Sequence, residues 1–115
     1  MRIISQNGLL DVPYELIAIS PYSKNMATII GTFPGNDLGK GDRVYILAEY
    51  STEEKAVKAM EMCRNRYAWC KIRSHGMNSL TMAMSFRRTD EIEQLLKTFA
   101  EENIFQFPAD EEVEV

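Results

Sequence analysis

The sequence has few of the residues on which the commonest catalytic and metal sites are built. Its 115 residues include one histidine, His75, and two cysteines, Cys63 and Cys70. Structural zinc is usually held by four such ligands in paired spacings, so a zinc site is disfavoured. A lone histidine with no evident partner offers no acid–base pair. We therefore expect no enzyme, no metal and no cofactor, and we expect both cysteines to lie in the core or at an interface.

Long apolar runs are also missing from the sequence. No stretch approaches the roughly 20 apolar residues that a membrane-spanning helix needs. The segment MRIISQNG has neither the apolar stretch nor the cleavage site of an export signal. Two cysteines suit a reducing compartment better than a disulfide framework. We accordingly expect a cytoplasmic protein that makes no contact with a membrane.

Acidic residues are absent from one long part of a chain whose formal net charge is −4. Residues 110–115 carry four acidic groups, which leaves residues 1–109 neutral overall. The basic stretch, residues 64–88, holds no acidic residue and six basic ones: Arg64, Arg66, Lys71, Arg73, Arg87 and Arg88. One interpretation is an ordinary solvated face. The other is an anion site from which competing carboxylates are excluded.

The length indicates a single domain. We expect it to cover residues 1–109 and to be followed by an acidic tail, residues 110–115. The tail has no large core side chain, so we expect it to contribute little to folding. Because a chain of 13.2 kDa has a large surface relative to its core, we also expect a homo-oligomer.

The first 50 residues have the two-residue periodicity of β-strands. Five strands are predicted, at residues 2–6, 9–15, 16–22, 26–33 and 43–50. Asn7-Gly8 between the first two is a strong signal for a type I′ hairpin turn. Gly35 and Gly39 are too close together for a nucleotide-binding P-loop, and Gly41 replaces its hydroxyl residue, so this stretch is predicted to be a connection. The pattern indicates an antiparallel meander.

After Tyr50 the periodicity changes to that of a helix. Ser51 and Glu54 have the spacing of a capping box. One apolar stripe follows, at Ala56, Met60, Cys63 and Tyr67. We expect this stripe to lie on the sheet and the helix to end near His75 and Gly76.

Two further elements complete the predicted fold. Alternating apolar side chains predict a sixth strand, at Leu80, Met82, Met84 and Phe86. Helical spacing predicts a second helix, at Ile92, Leu95, Leu96 and Phe99. The fold class is therefore α+β, with an antiparallel sheet of about six short strands followed by, and packed with, two α-helices.

The start of that second helix is a candidate anion site. Arg87, Arg88 and Thr89 precede it directly, and the free N–H groups of a helix N-terminus favour phosphate. The alternative is a plain helix boundary, in which Thr89 or Asp90 caps the helix and the arginines pair with the acidic first turn.

Aromatic rings among the basic residues narrow the class of ligand. Trp69 and Phe86 could each stack on a nucleobase, which contributes about 1–3 kcal/mol per base. Alternatively, both are core or interface residues. The acidic isoelectric point of about 5.0 disfavours duplex nucleic acid. The predicted ligand-binding residues are Arg88, Thr89, Arg87, Lys24, Arg73, Trp69 and Phe86, with Lys24 contributed by a neighbouring subunit.

Three segments resemble small proteins encoded by phages and prophages of gut Firmicutes: MRIISQNGLLDVPYE, AEYSTEEKAVKAMEM and FQFPADEEVEV. The layout of an antiparallel sheet followed by two helices is similar to that of the first anti-Thoeris family. The resemblance implies a sponge that binds cyclic ADP-ribose isomers without cleaving them. It also implies a hexamer that holds cyclic di- or trinucleotides where subunits meet.

The sequence therefore favours a phage-type immune-evasion protein that sequesters cyclic signalling nucleotides in the host bacterial cytoplasm. Two alternatives stay open. A protein-binding inhibitor of a host defence effector, similar to anti-CRISPR proteins, would use the acidic tail and strand edges. A minor single-stranded nucleic-acid binder would use the basic stretch and would show a steep dependence on salt.

Overall fold

The computed structural model describes residues 1–33, 43–83, 94, 97 and 103–115. Its strands are β1 (Arg2–Ile4), β2 (Asp11–Pro13), β3 (Ala18–Tyr22), β4 (Asn25–Phe33), β5 (Arg43–Glu49) and β6 (Ile104–Gln106). A long helix, α1, runs from Glu53 to Ala83, and short 3₁₀ helices lie at Tyr14–Leu16 and Asp110–Glu112. The chain thus combines strands and helix as expected, but the strands are divided between two sheets.

The strands form two three-stranded sheets, with the orders β2-β1-β6 and β3-β4-β5, where one sheet was expected. The second sheet contains the last three strands of the predicted five-stranded antiparallel meander, and the first two strands belong to the other sheet. In the first sheet β1 pairs antiparallel with β2 but parallel with β6. Pro13, which lacks an N–H donor, ends β2, and the Tyr14–Leu16 turn then carries the chain into the second sheet.

The hairpin between β1 and β2 forms where it was predicted, but its turn is not type I′. Gly8 has a φ of 77°, whereas no other residue in the described ranges has a positive φ. The amide of Gly8 donates to the carbonyl of Ser5 at 2.9 Å, and the Asn7 side chain accepts from the amide of Leu9 at 3.0 Å. In this turn glycine is therefore needed only at position 8, because a residue with a side chain would be strained at that positive φ.

Helix α1 starts at a different cap from the one predicted. The hydroxyl oxygen of Thr52 accepts a hydrogen bond from the amide of Lys55 at 3.2 Å, so Thr52 is the N-cap. Ser51 instead donates from its amide and its hydroxyl to Asp110, at 2.7 and 3.1 Å. The sequence contained both hydroxyls, and a distant carboxylate decides which of them caps the helix.

The predicted end of α1 near His75 and Gly76 is wrong, and so is the start of the predicted sixth strand. The helix continues through both residues and through 80–83. One helical glycine costs only about 1 kcal/mol, which an already nucleated helix tolerates. Leucine, methionine and alanine are good helix formers, so their alternation is not specific for a strand. In the described part of the chain, no helix has the length and apolar character to cross a membrane.

The second predicted helix is only partly covered by the described residues. Gln94 and Lys97 have helical backbone, in agreement with a helix over 92–99. The other residues of that helix, and the predicted strand positions from 84 to 87, lie outside the described ranges.

The core is one cluster to which both sheets and α1 contribute. Three of the four residues of the predicted stripe on α1 face this cluster: Ala56 and Cys63 are buried in it, and Met60 packs against it. The fourth, Tyr67, contacts the ring of Tyr14. The buried members of the core cluster are Ile3, Val12, Ile29, Leu47, Ala48, Tyr50, Ala56, Ala59, Cys63, Phe105, Phe107 and Val113. Cys70 is buried as well, in agreement with the expectation that the two cysteines lie in the core or at an interface.

The tail is anchored to the domain, which corrects the expectation of a peripheral segment. Val113 is 3 % exposed and belongs to the core. Asp110 binds Ser51 and also accepts from the ammonium group of Lys55 at 3.1 Å. These hydrogen bonds, led by that of the Ser51 amide, lower the pKa of the Asp110 carboxyl. The tail therefore holds the start of α1 against the domain.

Replacing Val113 with alanine tests this anchoring. We expect Val113→Ala to lower the free energy of unfolding by roughly 1–3 kcal/mol, because a buried side chain is removed and its space is not refilled. The matched control is Val115→Ala, since Val115 is 79 % exposed and should change stability by no more than about 0.5 kcal/mol. The measurement is chemical denaturation followed by circular dichroism. Equal stability of the two variants would contradict the anchoring.

A second comparison tests the continuity of α1. We expect Gly76→Ala to raise the free energy of unfolding by about 0.5–1 kcal/mol, because alanine is the better residue within a helix. Gly8→Ala should lower it by about 1–2 kcal/mol, because of the positive φ at that position. Destabilisation by Gly76→Ala in the same denaturation experiment would instead favour a helix that ends at Gly76.

Candidate functional site

The seven predicted ligand-binding residues divide into two groups. Four of them, Phe86, Arg87, Arg88 and Thr89, lie outside the described residues. The other three are Lys24, which is exposed in the turn between β3 and β4, and Trp69 and Arg73, which lie on α1. Lys24 therefore belongs to a different element from the two helix residues.

Trp69 and Arg73 are brought together by the helix. They are four residues apart, and the guanidinium carbon of Arg73 lies 4.7 Å from the centre of the Trp69 ring. Such a cation–π contact contributes about 0.5–1 kcal/mol at an exposed site. Trp69 is 42 % exposed, so part of the indole is accessible to a ligand. Of the alternative that Trp69 is a core or interface residue, the core assignment is therefore wrong. We call these two residues the Trp69–Arg73 pair.

The helix divides the basic stretch between two flanks. Each residue advances about 100° around a helix, so residues seven apart share a flank. Arg66 and Arg73 lie on the flank of Trp69. Arg64 and Lys71 lie on the opposite flank, beside the core stripe that includes Cys63. The positive charges in this part of α1 therefore cannot all contact one small ligand.

A cleft opens on the flank of Arg64. It has a volume of about 170 Å³ and lies between α1 and the chain that enters β3. Six residues line it: Tyr14, Ile17, Ile19, Met60, Cys63 and Arg64. Its floor is apolar, and the polar groups are the phenol of Tyr14, the thiol of Cys63 and the guanidinium of Arg64. We call it the Tyr14–Arg64 cleft.

Two stacked tyrosine rings, those of Tyr14 and Tyr67, lie beside this cleft. The rings of Tyr14 and Tyr67 are 4.2 Å apart between centres and tilted by 31°. The ammonium nitrogen of Lys71 lies 5.5 Å from the centre of the Tyr67 ring. The arrangement fixes the Tyr14 ring against α1 and places a second cation near the cleft.

Besides Arg64, two titratable groups line the cleft, Tyr14 and Cys63, and both are neutral at physiological pH. Burial raises the pKa of the Cys63 thiol to about 12 and outweighs the opposing effect of the neighbouring Arg64. Burial also raises the pKa of Tyr14. The cleft therefore presents protonated donors and one permanent cation, and neither neutral group is activated as a nucleophile.

Within the described ranges, no group of three or more His, Cys, Asp or Glu side chains is arranged to hold a metal ion. Comparisons with protein-family models, with curated proteins and with solved structures find no match.

Sequence reasoning named Trp69 and Arg73 as separate candidates but predicted neither their contact nor the Tyr14–Arg64 cleft. The spacing of Met60, Cys63 and Tyr67 already placed Arg64 at the border of the core face. Tyr14, however, was assigned to a strand, and no local signal shows that it turns back onto α1. Only the packing of β3 against the helix brings Tyr14 and Arg64 to the same cleft.

The chemistry of Cys63 gives a direct test of the cleft's interior. We expect the native protein at pH 8 to react with a disulfide reagent at least about 100-fold more slowly than a free thiol, because both cysteines are buried and Cys63 stays protonated. After denaturation, both of the chain's cysteines should titrate rapidly. One fast-reacting thiol in the native state, mapped to Cys63 by mass spectrometry, would contradict a buried, neutral thiol.

Proposed function

We propose that this protein sequesters cyclic signalling nucleotides of the cyclic ADP-ribose type, and cyclic di- or trinucleotides, without cleaving them. It would act as a homo-oligomer in the cytoplasm of a bacterial host, as a phage-type protein that blunts antiviral defence. The resemblance of three sequence segments to the first anti-Thoeris family motivates this proposal. The structural observation that supports it is the Trp69–Arg73 pair, an accessible indole with a guanidinium held over it.

The pair has the two chemistries that a nucleotide requires. The indole supplies a stacking surface for a base, which contributes about 1–3 kcal/mol. The guanidinium of Arg73 can form charge-assisted hydrogen bonds to phosphate, which contribute about 1.5–3 kcal/mol each. The cation stacked on the indole is already positioned, so less side-chain entropy is lost on binding.

These magnitudes also show that the pair needs further groups. A micromolar complex requires about 8 kcal/mol, after the cost of immobilising the ligand has been met. The pair alone does not reach that value. In the proposed site, Arg87, Arg88 and Thr89 supply the remaining phosphate contacts, and Lys24 comes from a neighbouring subunit.

Binding without cleavage agrees with the state of the reactive groups near the basic stretch. Cys63 and Tyr14 are protonated and line the Tyr14–Arg64 cleft, with Cys63 on the buried core face of α1, whereas Trp69 is exposed on one flank of the helix. A nucleotide held by the Trp69–Arg73 pair would thus meet neither of them. The intact ligand should be recoverable from the complex.

A protein target is the second candidate function. Val44 and Ile46 are exposed next to each other on one face of β5, which is an edge strand of its sheet. Exposed apolar side chains on a sheet edge are typical of surfaces that bind another chain. An inhibitor that acts through this strand would bind an effector protein and would leave nucleotide concentrations unchanged.

Trp69 is the only tryptophan in the chain, so its fluorescence reports directly on the proposed site. We expect a cyclic nucleotide from a panel, which includes cyclic ADP-ribose isomers, to quench this fluorescence in a saturable manner. Arg73→Gln should weaken that binding by about tenfold or more, because a charge-assisted pair is lost. Arg88→Ala tests the predicted phosphate site in the same titration. The ligand released by heat denaturation should be chemically intact.

The matched control is Lys58→Gln, which removes an exposed positive charge from the same helix away from the pair. It should leave the affinity unchanged. Equal weakening by Lys58→Gln, together with a steep salt dependence, would indicate a general polyanion binder. If no member of the panel is depleted or quenches Trp69, the sequestration proposal is wrong.

A further inference from the structure

The Tyr14–Arg64 cleft is not used by the proposed nucleotide site. It lies on the other flank of α1, on the side where Arg64 and Lys71 project. Its lining residues come from three parts of the fold: the Tyr14–Leu16 turn, the strand β3 with Ile17 before it, and the first half of α1. A cleft built by separate, packed elements keeps its shape better than one formed by a single loop.

The size of the cleft limits its occupant. An apolar cavity of about 150 Å³ is large enough to take up benzene. The Tyr14–Arg64 cleft, at about 170 Å³, therefore fits a single aromatic ring with one small substituent. Ile17, Ile19 and Met60 offer apolar contacts to such a ring, and a methionine sulfur interacts favourably with aromatic rings.

The charges around the cleft select the substituent. Arg64 is exposed at the edge, and its guanidinium can bind a carboxylate with two hydrogen bonds. Tyr14 is protonated and can donate a further hydrogen bond, and the protonated Cys63 adds no negative charge to repel an anion. Lys71 lies over the Tyr67 ring and does not line the cleft, whereas Arg64 does, so Arg64 is the cation best placed for a ligand.

From this geometry we propose that the Tyr14–Arg64 cleft binds a small aromatic carboxylate, with its ring on Ile17, Ile19 and Met60 and its carboxylate on Arg64. The proposal does not depend on the nucleotide site, because the two sites share no residue. It makes the chain a binder of a second class of ligand, which is distinguished from the first by size and by the lack of phosphate.

Benzoate is a suitable probe, and the methyl group of Met60 is a suitable reporter. The protein is labelled with ¹³C at the methionine methyl groups, and the Met60 signal is assigned with the conservative variant Met60→Leu. We expect benzoate to shift the Met60 signal with a Kd in the millimolar range, as is usual for a ligand with so few atoms. Benzyl alcohol, which lacks the charge, should bind roughly tenfold more weakly. Acetate, which lacks the ring, should produce no saturable shift.

Arg64→Gln separates recognition of the carboxylate from occupancy of the apolar floor. This exposed substitution should lower the affinity for benzoate to that for benzyl alcohol and leave the affinity for benzyl alcohol unchanged. Lys58→Gln on the same helix is the matched control and should behave like the parent protein. Trp69→Ala should not alter benzoate binding, so failure of the nucleotide proposal would leave this one standing.

Three results would overturn the proposal. The first is no shift of the Met60 signal with benzoate at about 20 mM, well above the expected Kd. The second is equal binding of benzoate and benzyl alcohol by the parent protein. The third is a loss of benzoate binding in Lys58→Gln as large as that in Arg64→Gln, which would indicate a general effect of positive charge.

Discussion

The parallel pairing of β1 with β6 is the contact on which the rest of the fold depends. It places Ile3 beside Phe105, although about a hundred residues separate them. The entropic cost of closing such a loop rises only with the logarithm of its length, so doubling the loop adds about 0.6 kcal/mol. Closing a loop of about 100 residues costs about 4–5 kcal/mol, and burial of Phe105 and Phe107, at about 1.5–3 kcal/mol for each ring, offsets a cost of that size.

This pairing also determines the position of α1. The chain that follows β6 carries Pro108 and Asp110 to the start of the helix, where Tyr50 and Ser51 donate to them. Small side chains on the inner face, such as Ala56, let the helix lie close to the sheet. Once its start and its inner face are fixed, the direction of every other side chain on α1 follows from the helical repeat.

The two candidate ligand surfaces are consequences of that orientation. Each one combines an arginine with an aromatic ring: Arg73 with Trp69 on one flank, and Arg64 with Tyr14 on the other. The first pair is open to solvent and suits a ligand that stacks and carries phosphate. The second borders an apolar cleft and suits a ligand that inserts a ring. In the two proposals, one short basic segment takes part in two kinds of recognition, because a helix turns neighbouring residues away from each other.

The sequence by itself determined the local features of this protein. Two-residue periodicity was enough to predict the strands of the β3-β4-β5 meander, and helical spacing was enough to predict most of the inner face of α1 and the burial of Cys63. These features depend on neighbours within a few positions along the chain. Only the tertiary structure decided the division into two sheets, the anchoring of the tail by Val113 and the joining of Tyr14 to Arg64 in one cleft. Each of these depends on contacts between distant segments, whose favourable burial appears only when the whole chain has folded.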